Sequence, residues 1–425
     1  MTQLIQNQAQ WVSRAKAVLP GGSFGNFDPG VVVARGEGSR VWDEDGKEYV
    51  DFLIGSGPML LGHGHPEVME AVYEQLPKGM TFFANNAKGI ELAEAICAAV
   101  PCCERIRFVA SGGEADMYAI RLARAVTGRD KVIKFEGGYH GMSAEAQMSL
   151  APAVRAEFPT AVPDSAGIPK TVGDQMLIAP YNDLAAVEAL LNEHDDIACL
   201  IVEPLQRIIK AEPGFLAGLR ALCDRHHVLL IFDEIVTGFR LAYGGAQERY
   251  GVVPDICTLG KIIGGGFALA ALGAKAEVMD HFDKNTIGEE KWLMQLGTLS
   301  GNPIAAAAGL KTMEILRREG AYETLHSHGQ RLQKIQSDAL SKAQIPHQVC
   351  GDTALFDLYF TDQVCRDYRS AKHDNPQTAA IYNQVLRKHS VFKSPAKLYP
   401  SLALTEEDFG IFESAVSNAV EALCR

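Results

Sequence analysis

Four short apolar runs, IRFVA (106–110), KVIKF (131–135), IACLIV (197–202) and VLLIFD (228–233), alternate with helical stretches at Glu114–Thr127, Asp183–Glu193 and Phe215–His226. Runs this short and this continuous suit strands buried on both faces. Regular strand–helix alternation then implies a mostly parallel α/β sheet with helices on both sides. Open sheets of that kind bind ligands at the carboxyl ends of their strands. The run ending at Phe232 closes on the carboxylate of Asp233, which places a charge at such an end.

The flanks read differently. Residues 1–20 suit an amphipathic helix, with Leu4, Ile5, Trp11, Val12 and Val18 as its apolar contributors, stopped by Leu19-Pro20-Gly21-Gly22. VVVARGEGSRVWDEDGKEYVDFL reads as a small meander turning at Asp45-Gly46. Residues 151–180, rich in Pro, Ala and Gly and without periodicity, read as one long loop; loops of that length are usually lids or disordered. Helices are expected from Pro303 to about Arg318, over Tyr322–Leu340 and from about Glu406, with a strand at 354–360. The expected division is a large sheet domain (81–320) and a small α+β domain built from an N-terminal segment (1–80) and a C-terminal one (321–425).

A net charge of -12 argues against a general nucleic-acid binder. No apolar run approaches the roughly 20 residues of a membrane span, so no membrane partner is expected. The N-terminus lacks a basic region followed by an apolar core, so no secretory signal is expected. Nine cysteines at irregular spacing fit a reducing cytosol, and the expected location is cytoplasmic. Cys102 and Cys103 are adjacent, but no second pair stands at zinc-site spacing, so no metal is expected.

Lys261 follows Thr258, Leu259 and Gly260 and precedes Gly264, Gly265 and Gly266. Among apolar and glycine neighbours a lysine loses hydration, its pKa falls and its amine becomes a nucleophile. A strand-end acid plus such a lysine is what pyridoxal phosphate chemistry requires. The amine holds the cofactor's carbonyl carbon, and the acid keeps the pyridine nitrogen protonated. A nucleotide phosphate loop would need Ser or Thr after the lysine, and Ile262 stands there.

Three other strand ends bear on this chemistry. Gly112 and Gly113, with the Ser111 hydroxyl, could cradle a phosphate where a helix begins, although Ser-Gly-Gly serves equally as a cap. Tyr139, in FEGGYHG, could stack on a flat heterocycle or simply pack. Glu203 closes a third strand with a carboxylate. Thr298 and Ser300, before the helix that opens at Pro303, are candidate phosphate ligands or caps.

SGGEA, FEGGYHG, IVEP, IFDEIVTGFR, LGKIIGGG and GTLSGNP occur in that order, accompanied by DGKEYVDF, LGHGHPEV, YNDL and LTEEDF. Over nearly the whole chain this resembles the fold-type I, class III aminotransferases, and among them the glutamate-1-semialdehyde aminomutases. The resemblance implies an aspartate aminotransferase-like fold with a seven-stranded type of sheet, and pyridoxal 5'-phosphate as cofactor. It implies that Lys261 carries the cofactor and then moves the proton, while Asp233 pairs with the pyridine nitrogen. Ser111, Gly112 and Gly113 would hold the phosphate, Tyr139 would stack on the ring, Ile235 would cover its other face and Glu203 would lie beside it. Thr298 would reach the phosphate of a neighbouring subunit, which implies a homodimer with shared sites. Residues 151–180 occupy the place of a mobile gate, and Arg240 is read as structural.

Three departures from the aminomutase pattern fall on the substrate side. The arginine that follows P-G-G in those enzymes is missing, and Asp28 stands about where it would be; an acid there would repel a carboxylate. Ile54-Gly55-Ser56-Gly57-Pro58-Met59 lacks a tryptophan. F-E-A-G-F is replaced by Pro395-Ala396-Lys397-Leu398-Tyr399, so an acid is lost while Lys393 and Lys397 bring positive charge. Arg207 and Lys397 remain as possible carboxylate receptors. Arg207 is the first choice for its planar fork, with a surface loop as its other reading. The expected reaction moves an amino group from an amine or amino acid, β-amino acids among them, to an oxo acid in two half-reactions. An intramolecular aminomutase or an amino acid racemase is the alternative.

Overall fold

The computed structural model describes residues 7–25 and 28–425. Among the described residues the N-terminal helix is α1 (Gln8–Val18), and it buries none of its residues; Val18 is 78% exposed. Leu4 and Ile5 lie outside the described residues. Polar contacts tether α1 instead, with the Gln8 N–H donating to Asp45 and the Gln8 side chain accepting from the Val32 N–H.

The meander forms as β1 (Val33–Glu37), β2 (Arg40–Asp43) and β3 (Glu48–Asp51), all antiparallel. Its second turn uses Gly46 at φ +83°, and the Asp43 carboxylate accepts the N–H groups of Asp45 and Lys47.

After α2 (Pro66–Gln75) and α3 (Ala87–Ala99) the chain enters β4 (Arg105–Val109), α4 (Gly112–Thr127), β5 (Lys131–Phe135), β6 (Met176–Ala179) and β7 (Ile197–Val202). A small hairpin, β8 (Leu205–Gln206) and β9 (Ile209–Lys210), precedes β10 (Leu229–Glu234), β11 (Ile256–Leu259) and β12 (Ala270–Ala274). Seven of these strands make one sheet in the order β4-β12-β11-β10-β7-β5-β6. Every pairing is parallel except those of β12, which runs against both neighbours. The expected mostly parallel sheet is therefore present, with one reversed strand.

The reading of 151–180 as a single loop needs correction. Lys170–Gly173 is a short helix, and β6 at 176–179 is the buried edge strand of the main sheet. Four residues are too few for a periodic signal; β6 is fixed by its pairing to β5, where Ile133 faces Leu177.

The two ends of the chain meet in a second unit. β15 (Val391–Phe392) pairs in parallel with β3, and β13 (Gln348–Asp352) pairs with β14 (Leu355–Tyr359). Helices Ala321–Lys342, Pro376–Lys388 and Glu406–Leu423 pack there around Phe52, Phe356, Tyr382, Leu398 and Phe412, all essentially inaccessible. Asp408, in the capping box of the last helix, also accepts from Ser39 and Arg40, which ties the C-terminus to the first meander. Among the described residues no helix is long and apolar enough to cross a membrane.

Candidate active site

The carboxyl ends of β4, β5, β7 and β10 gather the residues singled out in the sequence. At the end of β4, Ser111 caps α4, its hydroxyl accepting the Glu114 N–H at 3.3 Å, while Glu114 returns to the Ser111 N–H at 3.0 Å. This capping box occupies the serine. It leaves the N–H groups of Gly112 and Gly113 without an acceptor among the described residues, at the positive end of a 16-residue helix. The backbone there is crowded. A Cβ on Gly112 would stand 3.0 Å from Ile235, and one on Gly141 would stand 2.4 Å from the Gly113 Cα.

Asp233 lies at the end of β10, buried, with its Oδ1 accepting the Ile235 N–H at 3.0 Å. Its Oδ2 is 2.7 Å from His140 Nδ1, and the other imidazole nitrogen is buried with no partner among the described residues. Glu203, at the end of β7, accepts the backbone N–H of Tyr139 at 2.8 Å, which fixes the root of that side chain. The Tyr139 ring is 39% exposed and so remains open to a partner. Ile235 packs between Gly112 and Gly260, the residue before Lys261.

Lys261 opens a single helical turn, Lys261–Gly264, at φ +48°. That conformation is unfavourable for a side chain with a Cβ, and such strain concentrates at functional sites. Burial lowers its pKa, Lys397 and Arg240 lower it further, and Tyr399 and Asp233 act against them. A Cβ on Gly57 would stand 3.3 Å from Lys261 Cδ, 3.3 Å from Tyr399 Cε1 and 3.4 Å from Arg240 Nη2, so three side chains converge on one glycine. Burial raises the Tyr399 phenol, but Lys397, Lys261, Arg240 and the Ser56 hydroxyl together bring it below its ordinary value. Arg240 is inaccessible; burial lowers its pKa to about 10, and it donates to the carbonyls of Gly57 and Ala354.

Other expected site residues lie further out. Thr298 is exposed, with its carbonyl receiving the Thr81 hydroxyl at 3.4 Å. Arg207 stands 4.9 Å from the centre of the Tyr139 ring and donates through Nε to the Gly137 carbonyl at 3.2 Å. Lys397 acts on both Lys261 and Tyr399, as its position suggested. Lys393 does not bring charge to the substrate side: its amine is buried 2.8 Å from Asp357 and also donates to Asn383. Asp28 is engaged with Arg387 at 2.7 Å on an exposed surface, and no described contact links it to Lys261.

His140 and Tyr399 were missed. His140 directly follows the tyrosine already selected, which is the one signal that pointed to it.

The residues fit the cofactor implied by the sequence. Two free N–H groups at a helix start suit a phosphate, an exposed aromatic ring and Ile235 suit the faces of a flat ring, and a buried carboxylate braced by an imidazole suits a ring nitrogen. The lysine with a lowered pKa completes the set.

Comparison with known proteins agrees with that arrangement. The family model described as aminotransferase class-III matches residues 25–419. Glutamate-1-semialdehyde 2,1-aminomutase 2 of Brevibacillus brevis is 40% identical over 385 residues, 89% of this chain and 88% of that one. The solved omega-transaminase of Sphaerobacter thermophilus superposes with a TM-score of 0.92 at 34% identity, covering 97% of each chain. A β-phenylalanine aminotransferase of Variovorax paradoxus superposes at 0.85 with 29% identity, over 96% of this chain and 92% of that one.

Proposed function

The chain belongs to the class-III aminotransferases, which use pyridoxal 5'-phosphate, and from that premise we propose that it is a transaminase, passing an amino group from an amine or amino acid to an oxo acid in two half-reactions. A carboxylate-bearing donor, with β-amino acids first, is the favoured class. The observation that carries this reading is the charge around Lys261. The charges of Lys397 and Arg240 act on its amine, the Arg240 and Tyr399 side chains converge with that of Lys261 on Gly57, and the acid expected of an aminomutase is absent from Pro395–Tyr399. Cations there favour a carboxylate substrate.

When bound, the cofactor supplies an electron-withdrawing ring that makes a proton on the substrate carbon removable. The chain's own groups do the rest. The Gly112 and Gly113 N–H groups at the α4 start would hold the phosphate, and Tyr139 and Ile235 would pack against the ring. Asp233, held by His140 and the Ile235 N–H, keeps the ring nitrogen protonated. Lys261 would hold the cofactor's carbonyl carbon and then carry the proton of the substrate carbon, for which a lowered pKa is needed near neutral pH. Arg207 is proposed to receive the donor carboxylate at the edge of Tyr139. Thr298, exposed beside the apolar side chains of Leu296 and Leu299, is proposed to complete the phosphate site of a second subunit in a homodimer.

A second reading, an aminomutase or a racemase, is favoured by the 40% identity to an aminomutase. One experiment separates the two. The visible spectrum of the loaded enzyme is followed as amines, α-amino acids and β-amino acids are added without an acceptor. Conversion to the pyridoxamine form with release of a carbonyl product is expected for one donor class. An isomerised substrate without carbonyl release would establish the second reading.

A further inference from the structure

Asp116 lies in the second turn of α4, 2% exposed, on the face turned to the sheet. It plays no part in the capping box, and no lysine or arginine is among the described groups acting on it. Its carboxyl accepts the Thr258 hydroxyl of β11 at 2.7 Å. One oxygen of Asp116, one of Asp233 and a ring nitrogen of His140 all lie within 4.8 Å of one another, and all three residues are buried. The titratable groups that face Asp116 are Asp233 from β10, His140 from the turn after β5 and Glu203 from the end of β7. β12, which also packs on α4, offers only Ala, Leu and Gly.

Two carboxylates this close in a dry pocket repel each other, and the one basic group beside them, His140, is bonded to Asp233 and not to Asp116. Burial, and then the charge of Asp233, push the Asp116 carboxyl well above the usual range. The proton of the pair therefore rests on Asp116, whose Oδ1 also accepts the Thr258 hydroxyl.

We propose that Asp116 is a positioning residue that acts on the cofactor's ring nitrogen through Asp233, presenting a protonated carboxyl as a hydrogen-bond donor to the Asp233 carboxylate. Asp233 would then be held by three donors: the Ile235 N–H, the His140 Nδ1–H and the Asp116 O–H. The pair carries one negative charge, matched by one protonated ring nitrogen. The ring-nitrogen part rests on the pyridoxal phosphate reading above; the shared proton of the carboxyl pair does not.

Infrared difference spectroscopy between wild type and D116N, at neutral pH and on the apoenzyme, tests the proton directly. The carbonyl stretch of a protonated acid, moved by deuterium exchange, is expected in wild type and lost in D116N. The loaded enzyme then carries cofactor labelled with 15N at the ring nitrogen. D116N, which keeps a neutral donor, should leave that resonance in place, whereas D116A should shift it towards the unprotonated position. Absence of the infrared band, or a resonance that moves in both variants or in neither, overturns the proposal. A protein that takes up no cofactor refutes the pyridoxal phosphate reading instead, and the infrared result still decides where the proton lies.

Discussion

His140 Nδ1 lies 2.7 Å from Asp233 Oδ2, with both side chains buried. The contact joins the turn after β5 to the end of β10 and leaves Asp233 few other ways to satisfy its charge. A hydrogen bond to a buried charged group is worth about 1.5–3 kcal/mol, so H140A should weaken cofactor affinity roughly ten- to a hundredfold. Titration of the apoenzyme with pyridoxal 5'-phosphate, read by absorbance, checks this. Unchanged affinity would mean that Asp233 needs no brace.

The positive φ of Lys261 allows two substitutions to be told apart. Both K261A and K261G should lower turnover at least about a thousandfold, since nucleophile and proton carrier are lost together. Alanine keeps the strain and glycine relieves it. In urea denaturation of the apoenzyme, K261G should be more stable than K261A by about 1 kcal/mol. The reverse order would show that the backbone there is not strained.

The proposed catalytic pair stands out in the sequence because each partner carries a local mark: an acid ending an apolar run at Asp233, and a glycine-framed lysine at 261. His140 carries no such mark, for its role comes from a contact with a residue 93 positions away. The direction of a charge was equally hidden. Lys393 and Lys397 read alike in the sequence, yet Lys393 turns inward to Asp357 while Lys397 acts on Lys261. The main sheet was visible where strands are long and apolar. β6 was not, being four residues long, and β12, three of its five residues alanine, gives little β signal and is defined by its neighbours.

Arg207 occupies the first position of the two-residue turn between β8 and β9 at φ +61°, where glycine is favoured. Backbone strain of this kind collects at functional sites, which accords with the role proposed for Arg207. R207G should therefore raise stability by about 1 kcal/mol while raising KM for carboxylate donors. Thermal unfolding and donor kinetics on one preparation give both signs; a stabilised enzyme with unchanged KM would remove Arg207 from the site.

Exposed apolar side chains flank Thr298 in the chain, at Leu296 and Leu299. Phe83 is 63% and Leu296 69% exposed, and both line one groove with Ile90, Gly297 and Ser300. Exposed aromatic and aliphatic side chains gathered in this way mark an association surface. If this face joins two subunits as proposed, the double variant F83E/L296E should sediment as a monomer and lose both cofactor retention and activity, since the proposed Thr298 contact is then withdrawn. A variant that stays dimeric, or a fully active monomer, would exclude shared sites on this face.

Lys134 lies inside β5, 1% exposed, with its amine donating to the carbonyls of Ala146 at 2.8 Å and Met148 at 2.6 Å. A neutral amine has two N–H donors, which is what two carbonyls can accept; the third proton of the charged form has no partner among the described residues. Burial lowers its pKa from 10.5 to about 7. The folded value is depressed, so the unfolded chain binds more protons between about pH 7 and 10 and stability rises with pH across that window. The contribution is fully present above the unfolded pKa and is lost as pH falls through the folded one. K134M removes this titration, so its stability should change less with pH than that of wild type over the same window. It also strands two buried carbonyls, at about 1–3 kcal/mol each, so it should be less stable than wild type at the alkaline end and approach it near pH 7. Urea midpoints measured across the window decide. Parallel curves for the two proteins would mean that Lys134 keeps its charge in the fold and that the buried pocket solvates it.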